Sequence, residues 1–295
     1  MALTINTNIS SLIAQRSLLD STNALNLSIE RMTTGYKINH SKDSAAGYAI
    51  SKLWETQLTS LDIASDNAAM GMDMLTTAEG TYDLLVGHIQ RVRDLTEQAA
   101  NGTYGASSLE AINKEIEARF SEIDRIAKNA EFNGIKLMNG AGTAVTLQVG
   151  ITGDTNSQIT LAAGLFAAAD LAAIKTMGSF SGSDAAALAK ECSGYTDATT
   201  IDHTKPIAAL AKLDTVITTL SSRATDLGAA QNRVESAISA IDVQSQNLTS
   251  SLSTIRDTDV AEESSKYIQA QILQQASATL LSTANQLPSI ALNLI

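Results

Sequence analysis

The sequence predicts a mainly α protein: a long antiparallel coiled-coil helical hairpin forming a rod, a small β-hairpin region, and N- and C-terminal helices paired with each other. Three observations predict it. The 295 residues are 44% hydrophobic but only 4% aromatic, so long packed helices fit better than a globule centred on rings. There are only two prolines, Pro206 and Pro288, to interrupt a helix. An apolar repeat of coiled-coil spacing runs through both halves.

In the second half, alternate steps of four and three from Leu213 visit Ile217, Leu220, Ala224, Leu227, Gln231, Val234, Ile238, Ile241, Ser245, Leu248, Leu252 and Ile255. Eleven of these thirteen positions are apolar, without a phase break. That is a heptad seam, and it is long enough to predict a rod. In the first half, the same stepping from Ile50 passes Leu61, Ala68, Leu75, Tyr82, Ile89 and Thr96 to Ala99. Gly and Ser end that helix at Asn101 to Ser108. A third helix follows, with Leu109, Ile112, Ile116, Phe120, Ile123 and Ile126 on one face. It is expected to stop near Asn133–Gly134, a pair suited to a left-handed helix cap.

The middle changes character. "TAVTLQVGITGDTNSQITLA" alternates apolar and polar residues around a turn, which predicts a β-hairpin with Val145, Leu147 and Val149 on one face and Ile159 and Leu161 on the partner strand. Gly178 to Lys205 is rich in Gly, Ser, Thr and Ala and reads as an exposed loop. Exposed apolar stripes are unfavourable, since one buried Leu is worth about 1.5–3 kcal/mol. The chain is therefore expected to fold back on itself and bring its termini together. The expected divisions are 1–40 (terminal helix), 41–175 (rod, first half, with the hairpin), 176–205 (variable tip), 206–256 (rod, second half) and 257–295 (terminal helix).

Both ends lack charge. No Asp, Glu, Lys or Arg occurs before Arg16 or from Tyr267 to Ile295. Leu273, Leu280, Leu287 and Leu294 recur every seven residues, with Ser277, Ala284 and Ala291 between them. Ile5, Ile9, Leu12 and Leu19 form a similar stripe at the other end. The opposite faces carry Gln, Asn, Ser and Thr, which are far cheaper to desolvate than unpaired ions. These eight apolar residues are the expected self-assembly core, buried by other copies of the chain. Narrow stripes without charge pairs make each helix marginal alone, so both ends are expected to become ordered on assembly.

Several functions are excluded. A net charge of −11 and a pI of about 4.7 argue against a nucleic-acid binder. The chain begins without a basic n-region, so no signal peptide is expected, and no window carries the ~18–20 continuous apolar residues of a membrane span. The single cysteine, Cys192, has no partner for an internal disulfide. His40, His88 and His203 are isolated, and no phosphate-loop or nucleophile-elbow motif occurs. Pairs such as Glu262–Glu263 read as solvated surface. No enzyme, cofactor or metal is expected.

The quoted residues resemble those of bacterial flagellins. "MALTINTNISSLIAQRSL", "ERMTTGYKINHSKDSAAGYAIS", "QRVRDLTEQAANGT", "EIDRIAKNAEFNGIKLMNG" and "AQILQQASATLLSTANQLPSIALNLI" are similar to the family's terminal and rod segments, in the correct order. The resemblance implies a subunit of the flagellar filament, a homopolymer used for motility, in a short form with the outer variable domain nearly absent. It implies secretion through the flagellar export channel, a chaperone at the C-terminal helix, and cap and hook-junction proteins as partners. It also implies recognition by the vertebrate Toll-like flagellin receptor, at the positions matching Arg91, Leu95, Gln98, Glu115 and Arg119. The alternatives are a hook–filament junction protein of the same family and a secreted coiled-coil adhesin or signalling ligand.

Overall fold

A computed structural model describes residues 8–138, 144–197 and 200–292, except for the side chains of 197, 200, 201 and 287–292. Its helices are α1 (Ile9–Thr34), α2 (Ala45–Ala100), α3 (Ala106–Asn129), α4 (Leu171–Gly178), α5 (Ala185–Ser193), α6 (Thr204–Arg256) and α7 (Val260–Leu292). Its strands are β1 (Glu131–Phe132), β2 (Ile135–Lys136), β3 (Val145–Gln148), β4 (Gln158–Leu161), β5 (Tyr195–Asp197) and β6 (Thr200–Ile201), paired in sequence as three antiparallel hairpins. The chain divides into two compact units. One comprises Met1–Thr59 with Ser245–Ile295, the other Ser60–Gln244.

The Ser60–Gln244 unit holds the large apolar side chains. Arg93 pairs with Asp214 and Glu79 with Gln231, so partner numbers fall along α6 as they rise along α2, and the two helices run antiparallel. The expected seam is buried: Leu61, Leu75, Leu85, Ile89 and Val92 on α2, and Leu213, Leu220, Leu227 and Val234 on α6. Helix α3 adds Leu109, Ile116, Phe120 and Ile123. Pro206 sits in the first turn of α6, where its missing N–H breaks no helical bond.

The expected hairpin forms as β3 and β4, with Val145 opposite Leu161 and Leu147 opposite Ile159. Leu147 packs onto α2 at Gly71. A Cβ on that glycine would press into the Leu147 side chain, which would have to turn aside.

Two local expectations are corrected. The left-handed pair Asn133 (φ 48°) and Gly134 (φ 80°) does not cap α3, which ends at Ala130 in an extended conformation. It forms the two-residue turn of the β1–β2 hairpin, where positive φ at both positions matches the twist of the strands. The expected exposed loop at 178–205 contains α5, capped by Asp184, with Leu188, Ala189 and Cys192 fully buried. Ser193 donates to Asn113 at 2.8 Å, tying α5 to α3. Glu191 accepts from the Ser181 backbone and pairs with Lys212, fastening the segment to α6. Small residues masked the helical period of this stretch, but one Leu and one Cys suffice to bury it against a ready-made core.

The other unit is built from α1, α7, the first turns of α2 and the last turns of α6. Helices α1 and α7 run antiparallel: Thr22 meets Gln274, and Ser28 meets Glu263. Asn8 caps α1 by accepting from the Ser11 backbone N–H. Asp259 opens α7 by accepting from the backbone of Ala261 and Glu262. Between α1 and α2, the Asp43 carboxylate accepts from the backbone N–H groups of His40 and Asn39. The His40 bond is the main cause holding its carboxyl below the usual range.

Candidate functional site

The paired terminal helices form a surface unlike the rest of the molecule. Their mutual seam is made of small residues: Ala14, Ser21 and Ser28 on α1, and Ala270, Ser277 and Ala284 on α7, each set spaced by seven. Small side chains let two helices approach closely, and hydrogen bonds replace large-residue packing along the contact. Asn8 donates to the Ala284 carbonyl at 2.7 Å, Ser11 to Asn285 at 2.7 Å, and Gln274 to Thr22 at 3.2 Å.

The large residues point elsewhere. Ile9, Leu12, Ile13, Leu19 and Leu280 are 57–62% exposed, and Leu273 is 49% exposed. The predicted seven-residue leucine stripe is therefore not the contact between α1 and α7; the alternating Ser/Ala stripe is. Beside that contact lies a groove of about 700 Å³ lined by Ile13, Ala14, Ser21, Leu273, Ser277 and Leu280, among others. Ile5, Leu287 and Leu294 lie outside the residues whose side chains are described.

Glu263 corrects the expectation of a solvated carboxylate pair. Glu262 is exposed and pairs with Lys266. Glu263 continues the buried repeat of α7 and is 4% exposed. It accepts from Ser28 at 2.7 Å and lies 3.8 Å from Arg31. Only its phase, seven residues before Ala270, distinguishes it in the sequence from its solvated neighbour.

At the base of the pair, the two connections are stitched together. Lys37 N–H donates to the Arg256 carbonyl at 2.6 Å, and Thr258 N–H to the Gly35 carbonyl at 2.9 Å. The Arg256 guanidinium lies 3.8 Å from the centre of the Tyr36 ring and donates to Glu55 at 3.1 Å. Lys52 also donates to Glu55, and these two bonds, Lys52's first, depress the Glu55 carboxyl. Sequence reading did not find this cluster. Its members are far apart in the chain, and no motif links them.

The third group lies on the Ser60–Gln244 unit. Arg91 and Glu115 pair at 2.9 Å, and Arg119 stands 3.8 Å from Glu115. Gln98 donates to the Tyr104 hydroxyl at 2.8 Å. Arg91 and Gln98 are exposed and Glu115 and Arg119 half-buried, but Leu95, at 2% exposure, lies in the core between the helices. Steps of four and three keep Arg91, Leu95 and Gln98 within one arc of α2, and that arc borders the buried stripe of Val92, Thr96 and Ala99, so Leu95 falls inside and its two companions outside.

None of these groups is arranged for catalysis. The Cys192 thiol is pushed up to about 12 by burial, away from the reactive thiolate. No described helix is long and apolar enough to cross a membrane.

Comparison with known proteins agrees on one family. Residues 5–143 match the bacterial flagellin N-terminal helical region, and residues 210–295 match the bacterial flagellin C-terminal helical region. The chain is 35% identical over 291 residues to a flagellin of Halalkalibacterium halodurans, covering 99% of each. It is 32% identical to polar flagellin F of Vibrio parahaemolyticus, covering 100% of each over a 376-residue alignment. A solved flagellar hook-associated protein from Vibrio parahaemolyticus aligns with a TM-score of 0.59 at 11% identity, over 73% of this chain and 100% of that one, a likeness of fold alone.

Proposed function

The chain belongs to the bacterial flagellin family and is a structural subunit of the extracellular flagellar filament, not an enzyme; from that premise we propose that it polymerises by burying the outward faces of α1 and α7 against other copies. One observation carries the proposal. The terminal helices pair through small residues and leave Ile9, Leu12, Leu19, Leu273 and Leu280 in solvent. A subunit that worked alone would gain by turning those residues inward, at about 1.5–3 kcal/mol each. Around them the helices carry Gln, Asn, Ser and Thr, which can be enclosed with their hydrogen bonds made. Ile5, Leu287 and Leu294 continue the same heptads in sequence.

Seeded elongation tests this. The double variant Leu12→Ser, Leu280→Ser should keep the subunit's melting curve, because both residues are exposed, and should fail to extend sheared filament seeds. Normal elongation by the variant would refute the proposal. The same assay separates the filament subunit from the hook–filament junction reading, since a junction protein forms a ring and does not extend seeds into micrometre fibres. An adhesin or signalling ligand would not polymerise at all.

Four further partners belong to this reading. The outward leucines of α7 would need covering before export, which suits a chaperone at that helix. Cap and hook-junction proteins would meet the subunit at the filament ends. The group Arg91, Gln98, Glu115 and Arg119, the first two exposed and the other two half-buried, is the face offered to the vertebrate Toll-like flagellin receptor, with Leu95 supporting it from beneath. A receptor reporter assay on monomers should lose signal with Arg91→Ala and Glu115→Ala together; an unchanged response would remove the receptor from the list.

A further inference from the structure

Over residues 8–29 and 267–292, the paired terminal helices carry one cation and one anion, Arg16 and Asp20. Both are exposed, and among the described residues neither has an ionic or hydrogen-bonding partner. They stand one turn apart, yet they do not pair with each other. At 100° per residue they lie about 200° and 240° around α1 from the seam residue Ala14, off the seam itself, and Asp20 lines the groove beside α7. Their neighbours off the seam are Ile9, Leu12, Ile13 and Leu19, the most exposed apolar residues of α1. Two opposite ions thus sit within the surface that the polymer is proposed to enclose.

An ion enclosed without a partner is strongly unfavourable, while one paired in good geometry is tolerated. Every other residue of 8–29 and 267–292 is neutral, so within these stretches each ion has only the other as a counter-charge. We propose that Arg16 of one copy pairs with Asp20 of a neighbouring copy, and that this single intermolecular ion pair fixes how far adjacent subunits are offset along their terminal helices. The apolar face recurs at heptad spacing, so on its own it would accept a slip of seven residues with little loss of contact. A lone cation and a lone anion break that degeneracy, because each alternative offset strands both. The inference rests on the assembly reading above and adds the element that selects one register.

Charge reversal with mixing tests it, in full-length protein added to sheared wild-type seeds. Arg16→Asp subunits carry two acids, and Asp20→Arg subunits two bases. Each alone should raise the critical concentration for elongation at least about tenfold. An equimolar mixture should recover most of that loss, since every acid-only face can meet a base-only face. The double variant Arg16→Asp, Asp20→Arg should elongate like wild type. A mixture no better than its components overturns the proposal, and so does normal elongation by either single variant. The Leu12→Ser, Leu280→Ser variant separates the two ideas. If it fails to elongate while both charge variants elongate normally, the ion pair is lost and the assembly surface stands. If it too elongates normally, the surface itself is wrong.

Discussion

The two compact units use the same seven-residue spacing for opposite purposes. In the Ser60–Gln244 unit the repeat positions are large, as at Leu75, Tyr82, Ile89, Leu213, Leu220 and Leu227, and all are fully buried within the chain. In the unit of the two termini the buried repeat is Ala14, Ser21 and Ser28 against Ala270, Ser277 and Ala284, while the leucines at the complementary phase face outward. The first arrangement completes a fold. The second leaves apolar area exposed, the surface proposed to be covered by other copies. A heptad stripe therefore tells which residues want to leave water, but not whether the chain itself supplies the partner.

The contrast makes graded predictions. Phe120→Ala in the closed core should lower the stability of its unit by about 3–5 kcal/mol, measured by urea unfolding, because the fully buried ring leaves a cavity. A loss below about 1 kcal/mol would mean that the core is loose and the contrast overstated. Ala270→Leu should destabilise the α1–α7 contact by about 1–3 kcal/mol, through overpacking of a seam that only small residues fit. Hydrogen exchange at Ser21 and Ser277 should report it, and Phe120 region amides should not change.

A smaller effect concerns acid. Glu191 is only partly exposed, and burial alone would raise its carboxyl. The Lys212 ammonium and the Ser181 N–H outweigh burial and depress it. A depressed carboxyl contributes stability above its unfolded pKa of about 4.5, and that contribution is lost as pH falls through the folded value. Glu191→Gln should therefore flatten the stability curve of the Ser60–Gln244 unit below about pH 4.5, in thermal melts against pH. The smallest effect is expected at the outward leucines. Leu280→Ala should change the stability of the isolated subunit by no more than about 0.5 kcal/mol in the same melts, although the position matters for elongation. A large loss in the monomer would place Leu280 in an internal core and erase the distinction between the units.

Much of this was legible in the sequence. The rods, the end of α2 at Asn101, the β3–β4 hairpin and the neutrality of both ends follow from period, turn residues and charge. The misses share a cause. Asn133–Gly134 satisfied a local rule for two structures, a helix cap and a tight hairpin, and only the pairing of Glu131 with Lys136 chose between them. Helix α5 has too few large residues to show a period, yet a neighbouring core covers Leu188 and Cys192. Leu95 was placed in a surface set by the family resemblance, and Glu263 was read with its neighbour rather than with its heptad. Arg256, Tyr36 and Glu55 gave no signal, since a contact between residues about 200 positions apart leaves none in one sequence.

The sequence by itself determined the helical rods, the hairpin and the absence of charge at both ends, because period, turn chemistry and composition act locally along the chain. Tertiary structure alone decided which stripe of each terminal helix meets the other. Serine and alanine permit a closer approach than leucine, and that choice, made between helices more than 200 residues apart, is what leaves the leucines facing outward.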